Sequence, residues 1–173
     1  MNYAPQSLAD PITSFSGPYR FLANPWACEV PFEGDLYRSA EHAFQAAKSP
    51  DPGHRAYVNS LARWQEAKEA GRKVPLRPDW ERNKRAVMLQ VVLAKFMHNP
   101  GLSDALTGTG QRFLLEGNWW GDTDWGAVKD NHPGWSPDLP WWHQRGGMEI
   151  IWAGHNWLGL ALMTARGVLA PVP

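Results

Sequence analysis

Met88, Val91, Val92 and Phe96 recur at three- and four-residue spacings, a pattern that an α-helix lays along one face. Such a face is stable only when other elements cover it. Pro78 suits a first helical position and Pro100 a stop, so the spacing predicts a long helix over 78–99. At 173 residues the chain fits one domain with a real core. The covering layers are legible in part. Ser39 is an N-cap for a helix through Lys48, stopped near Pro50. A second helix is expected over 54–70 with Gly71 as its stop, and a last one over 156–166 ended by Gly167. The run Trp26 to Phe32, the turn Glu33-Gly34-Asp35 and Leu36-Tyr37 suggest a short β-hairpin, with Pro31 on an edge strand. Residues 112–116 are short enough for a strand, and 107–110 form a turn. Residues 117–153 show no period and read as a long Trp-rich loop insertion. The expectation is a single helix-rich α+β domain over 15–166, with flexible ends at 1–14 and 167–173.

Lys plus Arg and Asp plus Glu each total 17, so the formal charge is zero. Proteins that grip nucleic acid through released counterions carry a cationic excess, which this chain lacks, although a local basic patch survives a zero sum. The single cysteine, Cys28, excludes an internal disulfide and two-cysteine motifs. No basic and apolar leader opens the chain, and no stretch approaches the roughly 20 apolar residues of a membrane span. The expectation is a cytoplasmic protein, without a membrane partner and monomeric. Eight of its 11 tryptophans fall between 119 and 157. Such rings serve a core lacking aliphatics, or stack on bases.

Three stretches carry candidate chemistry. Glu41, Phe44, Gln45 and Lys48 share one helix face, which is either solvated or lines a pocket. In Glu116-Gly117-Asn118-Trp119-Trp120-Gly121-Asp122-Thr123-Asp124-Trp125-Gly126, carboxylates alternate with glycines that admit close backbone approach, as they also do in plain acidic turns. Asn156 is placed to cap the last helix, whose first N–H groups suit a phosphate.

These residues resemble a known family. Ser39-Ala40-Glu41-His42-Ala43-Phe44-Gln45-Ala46-Ala47-Lys48 is similar to the signature helix of the NADAR (YbiA-like) family. The other landmarks follow in order: Ala67-Lys68 with Gly71-Arg72, Leu76-Arg77 with Trp80, Met88, Lys95-Phe96, Leu106-Thr107-Gly108-Thr109, Glu116, Asp122 with Trp125-Gly126, and Asn156-Trp157-Leu158-Gly159 with Leu162-Met163 and Arg166. The resemblance implies an N-glycosidase that hydrolyses a ribose C1′–nitrogen bond with no cofactor. Its substrate is either ADP-ribose on a guanine of nucleic acid or a phosphoribosylamino-pyrimidine intermediate of riboflavin synthesis. It implies catalytic roles for Glu41 and Asp122, a Schiff-base role for Lys48, and for Trp80 either stacking on the base or ringing the pocket. Asn24, Gln45, Trp125, Gly126, Asn156 and Gly159 are the expected further substrate contacts. The family often has Ser-Asn-Phe where this chain reads Ala23-Asn24-Pro25.

Cleaving C1′–N builds positive charge on the sugar, which a carboxylate stabilises, and a second group must protonate the leaving nitrogen or activate water. The early helical position of Glu41 favours its ionised form. Of the two substrates, the aromatic stretch with Arg145 favours a base in nucleic acid. The rivals are a zinc hydrolase, a non-catalytic reader of ADP-ribose or NAD, and a Cys28 nucleophile. Six histidines are present without a ligand spacing, so no metal site is expected. A reader needs stacking and phosphate groups but not Glu41, and Cys28 lies in an apolar run where a structural cysteine is expected.

Overall fold

The computed structural model describes residues 7–8, 10–144 and 150–170. In chain order the elements are β1 (Ser7–Leu8), a 3-10 turn of helix (Gly17–Leu22), β2 (Val30–Phe32), β3 (Asp35–Tyr37), α1 (Ala40–Ala46), α2 (Pro52–Ser60), α3 (Trp64–Lys73), α4 (Trp80–His98), α5 (Pro100–Thr107), β4 (Val128–Lys129), β5 (Trp141–Gln144), β6 (Ile150–Ala153) and α6 (Trp157–Leu169). The apolar face of α4 is buried against α1, α6 and the β2–β3 hairpin, and Met88, Val91, Val92 and Phe96 are core residues. The hairpin pairs Val30 with Tyr37 and Phe32 with Asp35. Its two-residue turn, Glu33-Gly34, has positive φ at both positions (48° and 89°), the geometry whose twist matches antiparallel strands. Ser39 caps α1, its hydroxyl accepting the His42 N–H at 3.3 Å. Ser39→Ala is expected to lower unfolding free energy by about 1 kcal/mol in urea titration, with no change in m-value.

Several expectations are corrected. The helix over 54–70 is two helices, because Leu61 and Arg63 are extended and Glu66 closes back on the Arg63 N–H at 3.2 Å to start α3. Gly71 is not a stop: it lies inside α3, buried against α1. The long helix opens at Trp80 rather than at Pro78. The Pro100 that ends α4 also occupies the first turn of an unforeseen helix, α5. Residues 112–116 form no strand of a sheet, only a parallel bridge from Leu114 to Ile12. The supposed loop at 117–153 contributes three strands to a four-stranded sheet of order β1-β5-β6-β4, in which β1 runs parallel to β5 and the other pairs are antiparallel. Ladder hydrogen bonds satisfy its backbone where aliphatic periodicity is missing. Its small second core joins Leu115, Ala127 and Trp152 to Phe113 and Trp142. The last helix runs through Gly167 to Leu169. At the other end β1 pairs with β5 and Ile12 is buried, so ordered structure enters both segments read as flexible ends. Residues 1–6, 9 and 171–173, like Arg145, lie outside the described residues. Among the described residues no helix is long and apolar enough to cross a membrane.

Candidate active site

Glu41 is fixed by two contacts, one to its backbone and one to its carboxylate. Its N–H donates to the Asn24 carbonyl at 3.0 Å, which holds the first turn of α1 against the 3-10 segment. That segment is held in turn by the buried Lys95, whose ammonium donates to the carbonyls of Phe21 (2.6 Å) and Ala23 (2.9 Å). Burial lowers the Lys95 pKa to about 8. One turn on, Gln45 Nε2 donates to Glu41 Oε1 at 2.8 Å. The shared face of Glu41 and Gln45 is therefore packed, not solvated; they are 7% and 4% exposed. Lys48 is half-buried and donates to the Gly71 carbonyl at 3.3 Å. Gly71 has no room for a side chain, because a Cβ there would collide with the Gln45 amide. Gly71→Ala is expected to push Gln45 off Glu41 and lower turnover about tenfold in steady-state assays, while leaving the circular dichroism spectrum unchanged.

Asp122 lies on the acidic loop. The buried Asn118 organises this loop, its Oδ1 accepting the N–H of Gly121 (3.1 Å) and Asp122 (3.0 Å) and its Nδ2 donating to the Asp122 carbonyl (2.7 Å). Asp122 Oδ1 accepts the N–H of Asp124 (3.1 Å) and Trp125 (2.9 Å). Asp124 ties the loop to α4 through Lys84 at 3.2 Å and Arg85 at 3.9 Å.

Between the two stands Glu116, which sequence reasoning quoted as a landmark but did not place in the site. Its backbone is clamped on both sides. Asn156, fully buried and in the left-handed region (φ 54°), accepts the Glu116 N–H on Oδ1 (3.0 Å) and donates from Nδ2 to the Leu114 carbonyl (2.9 Å). Ala127 N–H donates to the Glu116 carbonyl at 2.9 Å. Gly126 and Gly159 lie so close to the carbonyls of Glu116 and Leu114 that neither accepts a Cβ. Asn156 thus sits at the N-cap position of α6 without capping it, since both ends of its amide are spent on the 114–116 backbone.

The electrostatics join these pieces. The Glu116 carboxyl is pushed up to about 8 by burial first, then by Asp122 and Glu41, with Lys68 opposing. The Glu41 carboxyl also lies above its ordinary value, against the expectation from its early helical position: burial, the largest effect, outweighs the Gln45 hydrogen bond and then Lys68, Lys48 and Arg72, which pull the other way. Burial lowers Lys48, helped by Lys68 and Arg72 and opposed by Glu41 and Glu81. Glu41, Glu116 and Asp122 therefore share one field with Lys48, Lys68 and Arg72. Lys68, a missed member, is coupled to Glu41, Glu116 and Lys48. The adjacent pair Ala67-Lys68 is its only trace in the sequence, with Ala67 packed in the core.

The proton on Glu116 has a consequence for stability. Its folded pKa lies above the ordinary 4.5, so the fold holds this proton more tightly than the unfolded chain does. The stability it contributes is full below about pH 4.5 and is lost as pH climbs through about 8. Glu116→Gln is expected to match the parent melting temperature near pH 4.5 and to exceed it near pH 8, by differential scanning calorimetry.

Aromatic rings back the cluster. Trp80 is 4% exposed, its ring 5.1 Å from that of Phe44, which in turn meets Trp125 edge-on at 5.1 Å. Trp80 is thus the rear wall, and Trp125, two residues past Thr123 and half-buried, keeps accessible surface next to Asp122. Arg85 lies 3.8 Å over the Trp157 ring, which stacks on His155. Trp119 is 81% exposed and meets Trp120 edge-on, so the loop tip presents two aromatic faces to solvent. Beside it, Gly117, Asn118, Trp119, Lys129, His132 and Trp152 line a cavity of about 420 Å3. Among the described residues, no three of the His, Cys, Asp and Glu side chains gather as a metal site would require.

Comparison with known proteins bears on this arrangement. The NADAR domain model matches residues 8–170. N-glycosidase YbiA of Escherichia coli (strain K12) is 31% identical over 123 residues, covering 68% of this chain and 77% of that protein. The riboflavin biosynthesis protein VVA0006 of Vibrio vulnificus (strain YJ016) is 32% identical over 117 residues, 65% of this chain but only 31% of that protein. The NMR structure of E. coli YbiA superposes with a TM-score of 0.70 at 27% identity, covering 92% of this chain and 85% of that one. A clamped glutamate, an acidic loop and a capped α1 lie within one family-model match spanning nearly the whole chain, and the chain belongs to the NADAR family.

Proposed function

We propose that this protein hydrolyses a ribose C1′–nitrogen bond at the Glu41–Glu116–Asp122 cluster. The observation that carries the reading is a set of three coupled carboxyls in unequal surroundings: cations and an amide donor face Glu41, while anions face Glu116. The carboxylate form of Glu41, which the Gln45 amide and the nearby cations favour against burial, stabilises the cationic sugar together with Asp122. The side-chain amide oxygens of Gln45 and Asn24 are buried and accept no hydrogen bond within the protein. The name of the E. coli relative supports the same bond class.

The favoured substrate is ADP-ribose on a guanine base of nucleic acid. Lys68 and Arg72 are available to phosphates, and the exposed Trp119 and Trp120 suit a neighbouring base. The name of the Vibrio relative favours a second reading, a phosphoribosylamino-pyrimidine of riboflavin synthesis. Turnover of the two substrates side by side tests the choice. Faster release of ADP-ribose from a modified oligonucleotide supports the first, and faster loss of the pyrimidine riboside overturns it.

Lys48 bears on the route. Burial and two neighbouring cations favour its neutral amine, the form that attacks C1′ of an opened ribose. Borohydride added during turnover is expected to fix a sugar adduct on the chain that Lys48→Ala does not form, read by mass spectrometry. An unmodified parent chain assigns the sugar cation to water alone.

A further inference from the structure

We propose that Glu116 is the acid that hands a proton to the departing nitrogen, and that Asn156 is the positioning residue that aims it. The inference rests on the N-glycosidase reading and names the proton donor of the same site.

The three carboxyls are not equivalent. Glu41 Oε1 is held by the Gln45 amide, a donor that favours a carboxylate. Asp122 Oδ1 accepts two backbone N–H groups. Among the described residues, the Glu116 carboxyl has no hydrogen-bond donor at all, although its residue is only half-buried and so within reach of a ligand. Burial, the largest effect, together with the Asp122 and Glu41 carboxyls nearby and the lack of a donor, leaves the proton on Glu116. When carboxyls share a site, one of them has its pKa raised by the others. The resulting value of about 8 keeps Glu116 an acid at neutrality yet able to give its proton up.

The chemistry needs such a group. A neutral amine or base departs from C1′ as a poor anion unless a proton reaches it. As the C1′–N bond breaks, its electron pair stays on nitrogen, which takes the Glu116 proton. Water then forms the C1′–O bond, and its released proton returns to the ionised cluster, restoring Glu116. The net change is one water consumed per bond, with the sugar hydroxyl and the N–H base as products. Should Lys48 capture C1′ first, the departing nitrogen still needs the same proton.

The clamp explains why the later motifs accompany this site. Asn156, Gly126 and Gly159 all make their closest contacts with the backbone at 114–116, not with the space in front of the carboxyl. Together they fix the segment that carries Glu116, as a general acid must be held within hydrogen-bond reach of its target.

Infrared spectra titrated from about pH 6 to about pH 10 test the proton's location without any substrate. The parent is expected to show a protonated-carboxyl C=O band that disappears near pH 8, absent in Glu116→Gln and present in Glu41→Gln. With an oligonucleotide carrying ADP-ribose on guanine, Glu116→Gln is expected to release ADP-ribose about 10²–10⁴-fold more slowly. It should also lose the alkaline fall that the parent's single-turnover rate shows above about pH 8. A band that follows Glu41 instead, or a Glu116→Gln rate within about threefold of the parent, overturns the proposal and leaves the N-glycosidase reading standing. A parent that cleaves neither this oligonucleotide nor the pyrimidine riboside overturns that reading and this proposal with it.

Discussion

Glu41→Gln is expected to lower single-turnover release of the base by about 10³-fold while the melting temperature holds or rises. The rate term follows from charge. A buried carboxylate opposite a developing sugar cation is worth far more than one in water, and removing one such preorganised group typically costs about 3–4 kcal/mol of transition-state stabilisation. The stability term has the opposite sign. Glu41 is buried, and burial raises its pKa, so its charge is a cost the fold carries. A neutral amide of the same shape keeps an oxygen for the Gln45 amide and sheds that cost. Stopped-flow or quenched-flow release checks the first half and calorimetry the second. A rate within threefold of the parent would remove Glu41 from the chemistry.

Asn156→Ala acts through structure. Two hydrogen bonds vanish at once, leaving the Glu116 N–H and the Leu114 carbonyl without their partner in the core. Each orphaned buried group costs about 1–3 kcal/mol. Alanine also tolerates the left-handed backbone at φ 54° less readily than asparagine does. The sum is a loss of about 2–5 kcal/mol, or roughly 5–15 °C in melting temperature for a chain of this size. Activity should fall further than the folded fraction does, because the Glu116 segment loses its register. Asn156→Asp keeps one acceptor but sets a carboxylate against the Leu114 carbonyl, so it is expected to rescue neither property.

The long helix was legible because its buried face repeats at the helical period, and the hairpin because Glu33-Gly34 is a turn written into two residues. Ser39 announced α1 for the same local reason. What local rules do not carry is pairing at a distance. The β1–β5 contact joins Ser7 to His143, and no pattern in either short segment encodes the partner. The 117–153 stretch reads as a loop because the residues that β6 buries are Trp152 and Ala153, which do not give the alternation expected of aliphatic strands. The break between α2 and α3 is set by the Glu66 contact with the Arg63 N–H, too small a signal against a continuous helical composition.

The site divides in the same way. Glu41 and Gln45 were visible as neighbours one turn apart on a helix. Glu116 stood in a quoted motif, yet nothing in its flanking residues says that its carboxyl meets charges from positions 41 and 122. Only the fold brings those three together. Asn156 and the glycines at 126 and 159 were read as substrate contacts, since a ligand and a tightly packed backbone both demand small or amide side chains.

Hydrolysis in water enriched with oxygen-18 tests the central claim most directly. Cleavage of the sugar–nitrogen bond puts one heavy oxygen on the C1′ carbon of the released ribose and none on the base, and mass spectrometry of both fragments reads this in one run. Heavy oxygen on the base, or no release from either candidate substrate, would contradict it.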